Sequence, residues 1–204
     1  MDEPRSTNIT ASESTVTRAQ REALMGHRGV TVWFTGLSAS GKTTVAALVD
    51  ATLTARGVHC AVLDGDNIRH GLNRDLGFSP ADRAENIRRI GEVAKLFTQA
   101  GLVTLVAFIS PYRKDRDAAR AMQNKGDFVE VYLDSPVEVC EARDPRGLYR
   151  KARAGEIPEF TGVSAPYEAP LKPELVLYTA SETPEESAQR VVAYLEKHGY
   201  LSAP

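Results

Sequence analysis

The chain has 204 residues, 42% apolar and 25% charged, with 25 Lys+Arg against 27 Asp+Glu for a formal net charge of −2. That length suits one hydrophobic core and is short for two, and the composition is that of a globular domain rather than a disordered or membrane chain. The near-neutral charge argues against a broad nucleic-acid surface, and no apolar run approaches the roughly 20 residues that span a bilayer.

The first 15 residues, "MDEPRSTNITASEST", are polar, poor in bulky side chains and without the basic-then-apolar order of a signal peptide. A flexible tail is expected over 1–15, one domain over 16–204, and a cytoplasmic location. "VTRAQREALMGHRG" predicts a short helix ending near Gly26. The β-branched and aromatic run "VTVWFTG" predicts a strand. It leads directly into "LSASGKTTVAALVDATLTARG", where Val45, Leu48, Val49, Thr52 and Leu53 recur at helical spacing and Gly57 closes the helix. "HCAVL" reads as a second strand. In "SPADRAENIRRIGEVAKLFTQAG", Ser79 caps, Pro80 suits the first turn and Asp82 completes an S-x-x-D box. Ile87, Ile90, Val93, Ala94 and Phe97 give that helix one apolar face, and Gly101 stops it. "LVTLVAF", "FVEVYL" and "LVLYT" are three further strands, and a last helix runs from about Pro184 to His198. Strands alternating with helices, several almost continuously apolar, predict a parallel sheet covered on both faces. Cys60 and Cys140 sit among apolar residues without metal-ligand spacing and read as buried, reduced thiols.

One region breaks the rhythm. "RDPRGLYRKARAGEIPEFTGVSAPYEAPLKP", Arg143 to Pro173, holds basic residues, Gly and Pro punctuation and the isolated aromatics Tyr149, Phe160 and Tyr167. An excursion of this length in a compact α/β chain is expected to be a lid, over about 143–173.

"GLSASGKT", Gly36 to Thr43, satisfies G-x-x-x-x-G-K-[ST] between a strand and a helix. Such a loop needs glycines so that backbone N–H groups can turn inward around phosphate oxygens, a helix start for its positive end, and a lysine for the terminal phosphates. Gly36, Leu37, Ser38, Ala39, Ser40, Gly41, Lys42, Thr43 and Thr44 are therefore expected to bind a nucleoside triphosphate, with the Thr43 hydroxyl on Mg²⁺. "NKGD", Asn124 to Asp127, imitates a guanine-reading element, but it precedes a strand instead of leaving one. The only plausible D-x-x-G, "DPRG" at 144–147, follows it in the chain, the wrong order for a GTP switch. Both are read as chance.

In a doubly wound sheet ligands gather beyond the carboxyl ends of the strands. "VLDGDNIRHGLN" follows the second strand, so Asp64 and Asp66 are expected to face the phosphate loop, and the metal or proton duty falls on one of them. Arg69, Arg83, Arg88, Arg89, Arg113 and Arg116 cluster around the second and third strand ends and suggest an anionic acceptor. Arg88 and Arg89 are adjacent and cannot point the same way, whereas Arg83 and Asn86 can share a helix face. Arg69 and Arg83 are the arginines chosen for the acceptor's acidic group. Phe78 and Phe160 offer flat faces for a base. His27, His59, His70 and His198 share no metal spacing. Another small-molecule kinase, of the nucleoside monophosphate or sugar type, and a non-catalytic nucleotide-binding regulator remain as alternatives.

Together "GLSASGKTT", "DGDNIRHGLNRDLGFSPADRAENIRR", "FISPYRKDR", "DPRGLYRKARAGEIPEFTG" and "PYEAP" resemble the adenylyl-sulfate kinase family, from roughly Val16 to the last helix. The resemblance implies a P-loop NTPase-type three-layer α/β/α fold with a mainly parallel five-stranded sheet and a lid insertion. It implies a homodimeric, cytoplasmic enzyme that uses ATP and Mg²⁺ to phosphorylate the 3′-hydroxyl of adenosine 5′-phosphosulfate, with neither nucleic acid nor membrane as partner. The family's metal and base duties map to Asp64 and Asp66. Its acceptor contacts map to Arg69, Arg83, Asn86, Ile109 and Ser110, its aromatic clamp to Phe78 and Phe160, and Lys151 falls in its lid. The serine of I-S-P, matched by Ser110, is described in the family as a phosphoserine intermediate. Direct in-line transfer needs no such relay, and Ser110 would equally serve as a hydrogen-bond partner of the acceptor or of a metal-bound water. The family loop usually has glycine where this chain has Ala39, whose methyl fits if its φ is negative.

Overall fold

A computed structural model of the chain describes residues 6–10, 12 and 14–201. Of the tail expected over 1–15, residues 1–5, 11 and 13 lie outside these, and the described part carries no helix or strand. The first helix, α1 (Arg18–Met25), opens on a capping box between Thr17 and Gln20 and ends where Gly26 turns left-handed at φ +71°. Arg18 fastens it to the body through an ion pair with Asp127 and a 2.7 Å hydrogen bond to the Gly29 carbonyl. The carboxylate of the N-K-x-D imitation is thus engaged by Arg18, just before the strand that starts at Phe128.

The chain then alternates as its hydrophobic pattern requires. Strand β1 (Val30–Thr35) leads into α2 (Lys42–Ala55), which begins inside the glycine-rich loop. Strand β2 (Cys60–Asp64) is followed by the short α3 (Gly65–Arg69) and the long α4 (Pro80–Gln99), whose Ser79 cap accepts the Asp82 N–H at 3.2 Å. Strand β3 (Val103–Ala107), α5 (Arg113–Ala121), β4 (Phe128–Leu133), α6 (Val137–Arg143), α7 (Leu148–Arg153), β5 (Leu175–Leu177) and α8 (Pro184–Lys197) complete the order. The strands form one sheet, β2-β3-β1-β4-β5, and every pairing is parallel, with Val32 opposite both Leu105 and Val129. The fold is therefore a three-layer α/β/α arrangement with a wholly parallel sheet.

Period-two side-chain alternation along β1 divides the core. Val30, Val32 and Phe34 pack with Val45, Val49 and Leu53 of α2 and Val191, Val192 and Leu195 of α8 on one face. Trp33 packs on the other with Ile87, Ile90 and Ala94 of α4 and Ala119 of α5, its ring stacked on Phe128 at 5.5 Å. Of the two thiols, both free, Cys140 is buried as expected. Cys60 is only half-buried, because β2 is an edge strand.

The excursion expected to be a lid is more structured than its composition suggests. It contains α7 and joins α6 in a small cluster of Cys140, Tyr149, Ala152 and Phe160, packed on Leu37 and Ala39 of the glycine-rich loop. Tyr149 meets Phe160 edge-on at 5.1 Å and donates its hydroxyl to the Ser38 carbonyl at 3.1 Å.

Gly29, between α1 and β1, is fixed by a close approach: a Cβ there would lie 2.2 Å from the Thr98 carbonyl oxygen of α4. Gly29→Ala is expected to lower the unfolding free energy by about 2 kcal/mol in a urea titration, and an unmoved midpoint would show that the α1–β1 joint yields.

Candidate active site

A cleft of about 790 Å³ opens at the carboxyl ends of the strands. Its floor is the glycine-rich loop and the start of α2. One wall comes from the β2 exit (Asp64 to Asn67) with Phe78, Arg83 and Asn86, another from the β3 exit (Ala107 to Pro111), and Arg143 to Arg146 overhang it.

The loop has the tight form that phosphate binding needs. At Gly36 a Cβ would come within 2.9 Å of the Leu133 carbonyl and 2.8 Å of Ser40 Oγ, and Gly41 holds φ +100° as α2 begins. Ala39 does not meet the condition of a negative φ: its φ is +58°, in the left-handed region where an L side chain is strained by about 1–2 kcal/mol. The turn dictates that conformation, and the packing of the Ala39 methyl in the lid cluster partly offsets the strain. Leu37 likewise points into that cluster, and Gly36 and Leu37 lie outside the cleft lining, whereas Ser38 to Thr44 line it.

Lys42 is buried, and its ammonium donates to the loop carbonyls of Gly36 at 3.0 Å and Leu37 at 2.6 Å. Burial pushes its pKa down to about 8, while the nearby carboxylates of Asp64 and Asp66 hold part of the charge in place. Thr43 and Asp64, 21 residues apart in the chain, meet in a 2.8 Å hydrogen bond from the hydroxyl to Oδ2. The other oxygen of Asp64 caps α3, accepting the backbone N–H of Asp66 at 3.0 Å and of Asn67 at 3.3 Å. Asp66 is exposed and ion-paired with Arg146 of the overhanging segment.

Two of the six arginines near the strand ends line the cleft, Arg69 and Arg83. Arg69 lies over Phe78 with 4.4 Å from guanidinium to ring centroid, and Arg83 over the same ring at 5.8 Å. Arg83 also reaches the lid, donating to Thr161 Oγ1 at 2.9 Å and to the Glu159 carbonyl at 2.8 Å. The buried Asn86 pairs with Asn73 at 2.9 Å, a partner that no spacing in the sequence marked. The other four arginines are committed elsewhere. Adjacent Arg88 and Arg89, expected not to point the same way, both reach Glu85, because residues three and four positions on lie over the same helix turn; Arg113 donates to the Ala169 carbonyl, and Arg116 is buried against Glu130.

Three of the residues expected to contact the acceptor fall outside the cleft or face away from it. Phe160 is buried in the lid cluster against Tyr149 and does not line the cleft, whereas Phe78, 64% exposed, lines it with Arg69 and Arg83 against its ring. Lys151, on α7, is exposed and does not line the cleft. Ser110 does line it beside Ile109, yet its hydroxyl is turned inward: it accepts from Trp33 Nε1 at 3.1 Å and donates to Thr35 Oγ1 at 3.0 Å. A hydroxyl so engaged, on a residue 2% exposed, is not presented as a nucleophile.

The adenylylsulphate kinase family model matches residues 28–178. The adenylyl-sulfate kinase of Staphylococcus epidermidis is 54% identical, over 96% of this chain and 98% of its own. Among solved structures, the APS kinase CysC of Mycobacterium tuberculosis, in complex with AMPPNP and APS, is 52% identical with a TM-score of 0.79, covering 83% of this chain and 99% of that one. A hexameric APS kinase from Thiobacillus denitrificans is 35% identical with a TM-score of 0.67, over 88% of this chain and 31% of that one.

A triphosphate bound in the loop restores the full charge of Lys42, so binding takes up a proton wherever the free ammonium has begun to titrate. Affinity for ATP is expected to fall as pH rises above about 8, with proton uptake visible by calorimetry in buffers of different ionisation heat. An affinity constant from neutral to strongly alkaline pH would contradict this.

Proposed function

The chain belongs to the adenylylsulphate kinase family, and from that premise we propose how its residues move the γ-phosphoryl group of ATP to the 3′-hydroxyl of adenosine 5′-phosphosulfate. The products are ADP and 3′-phosphoadenosine 5′-phosphosulfate. The observation that carries the assignment of roles is the hydrogen bond between Thr43 and Asp64, which unites the phosphate loop with the β2 exit at the mouth of the cleft.

Both groups are hard oxygen donors, a set that fits Mg²⁺, which is held by one or two protein oxygens together with phosphates and water. Magnesium bound there supplies positive charge to the β,γ-phosphates. Ser38 to Thr44 cradle the phosphates through backbone N–H groups, with Gly36 and Leu37 shaping the turn, and Lys42 exchanges its carbonyl partners for phosphate oxygens. The acceptor's 3′-oxygen forms its bond to the γ-phosphorus as the bond to the β,γ-bridging oxygen breaks, and the electron pair leaves with ADP. The hydroxyl proton passes to the Asp64 carboxylate. Arg69, Arg83 and Asn86 hold the phosphosulfate end, and Phe78 stacks on the adenine. Ile109 and Ser110 form the wall behind the ribose. Asp66 contributes through its pairing with Arg146, which ties the overhanging segment to the β2 exit. Lys151 and Phe160 act within the lid, as a nearby cation and as part of its core, and lid closure keeps water from the γ-phosphorus.

We take residues 16–204 as one domain with its lid over about 143–173, supported by the single sheet. We further propose a homodimer, by family, working in a reducing compartment such as the cytoplasm. The free thiols support that location, and no helix among the described residues is long and apolar enough to cross a membrane.

A coupled ADP-release assay across candidate acceptors tests the reaction: adenosine 5′-phosphosulfate should dominate, and preference for a sugar or a nucleoside monophosphate would overturn it. Light scattering after size exclusion reads the oligomer. Asp64→Asn keeps the α3 cap, since Asn caps as well as Asp, and is expected to cut turnover by about 10³-fold while ATP binding survives. Unchanged turnover would remove Asp64 from the mechanism. Arg83→Ala should raise KM for adenosine 5′-phosphosulfate by about tenfold or more with little change in KM for ATP, measured by varying each substrate separately.

A further inference from the structure

Arg116, on α5, is among the largest side chains in the protein with almost no exposure, at 2%. A buried guanidinium is a poor way to stabilise a fold, because leaving water costs it as much as its partners return, and apolar residues of similar size commonly serve as well. What such a group does provide is geometry, since its planar fork fixes several acceptors relative to one another.

The three nitrogens of Arg116 reach three different segments. Nε donates to Glu130 Oε1 of β4 at 2.8 Å, Nη1 to the Ser110 carbonyl at 2.6 Å, and Nη2 to the Glu168 carbonyl at 2.6 Å. Ser110 is the turn of the β3 exit, held at φ +40°, and Glu168 lies where the lid returns to the sheet. The same two segments are joined again beside the fork. The Glu168 N–H donates to the Pro111 carbonyl at 2.8 Å, its carboxylate accepts the Arg113 N–H at 2.8 Å, and Arg113 Nε donates to the Ala169 carbonyl at 2.7 Å. The Arg116 guanidinium also lies against the Tyr167 ring at 5.8 Å. The Tyr167 hydroxyl meets Thr35 Oγ1 at 2.9 Å, and Ser110 donates to that same oxygen. Thr35 is the last residue of β1, immediately before Gly36. One buried cation thus stands behind the acceptor wall, the lid return and the foot of the phosphate loop, while lining none of the cleft itself.

We propose that Arg116 is a positioning residue for the phosphoryl acceptor: its fork locks the Ile109–Ser110 wall and the Tyr167–Ala169 lid return to each other. Seating of the acceptor and seating of the lid are then one event. This rests on the assignment of Ile109 and Ser110 to the acceptor wall above. Parent turnover in the acceptor panel is read first, so that failure there counts against the reaction and failure here against the anchor alone.

Arg116→Lys keeps a cation for Glu130 but cannot span both carbonyls in one plane. It is expected to raise KM for adenosine 5′-phosphosulfate about tenfold, to leave KM for ATP within about twofold, and to let ADP formation outrun formation of the phosphorylated acceptor as water enters. Tyr167→Phe removes only the hydroxyl contact to Thr35, and is expected to shift the same constant in the same direction by about threefold. The proposal is overturned if Arg116→Lys, folded by circular dichroism, keeps the parent KM for the acceptor and tight coupling of ADP to product, or if both KM values rise together. If Arg116→Lys does not fold, Tyr167→Phe decides: a parent-like KM for the acceptor and parent-like coupling overturn the proposal.

Discussion

Parallel pairing throughout the sheet is the constraint on which the site depends. Because all five strands run the same way, all their carboxyl ends emerge on one edge, and each connection there can contribute one component to a common cleft. β1 delivers the phosphate loop, β2 delivers Asp64, and β3 delivers Ile109 and Ser110. An antiparallel partner in the middle of the sheet would carry one of these exits to the opposite edge. The buried faces of β1 and β3 are thus the means by which residues 21 apart, Thr43 and Asp64, come into hydrogen-bond contact.

Behind the cleft lies a second layer of polar chemistry. Trp33, Thr35 and Ser110, all buried, and the half-buried Tyr167 form a chain of hydroxyl and indole groups, each satisfied by the next. Polar groups withdrawn from water in this way cost free energy unless they are paired, and once paired they permit few alternative arrangements. The chain therefore holds the strand exits in register. It also explains why a serine in a motif associated with chemistry turns its hydroxyl away from the cleft.

Much of this was legible in the sequence. Apolar runs and capping signals marked all five strands and the α2, α4 and α8 helices, and the loop motif in its strand–helix context located the phosphate site. Asp64, Arg69, Arg83 and Phe78 were selected by type and position and Asn86 by the family resemblance, and the structure gathers all five in one cleft. Phe160 was chosen with Phe78 as a flat face for a base, and it packs against Tyr149 in the lid cluster; an isolated aromatic in an irregular segment carries no periodicity to show which way it faces. The lid's own core was hidden for the same reason, since Cys140, Tyr149, Ala152 and Phe160 come together only through tertiary contact. Arg116 read as one of six arginines clustered at the strand ends for an anionic acceptor, since nothing local distinguishes a guanidinium whose partners lie on β4 and on the lid return. A negative φ was the condition for the Ala39 methyl to fit, and the turn geometry gives a positive one instead.

The contact between lid and loop has an evolutionary corollary. Leu37 sits inside the lid cluster, and Gly162 leaves it room: a Cβ there would be 2.9 Å from Leu37 Cδ2. The phosphate loop is usually regarded as the portable part of such proteins, interchangeable because its chemistry lies in the backbone. Here its second residue is also a knob in the lid's socket. Divergence at position 37 or 162 is then constrained pairwise, and a lid transplanted from a distant kinase would need to bring a matching loop with it.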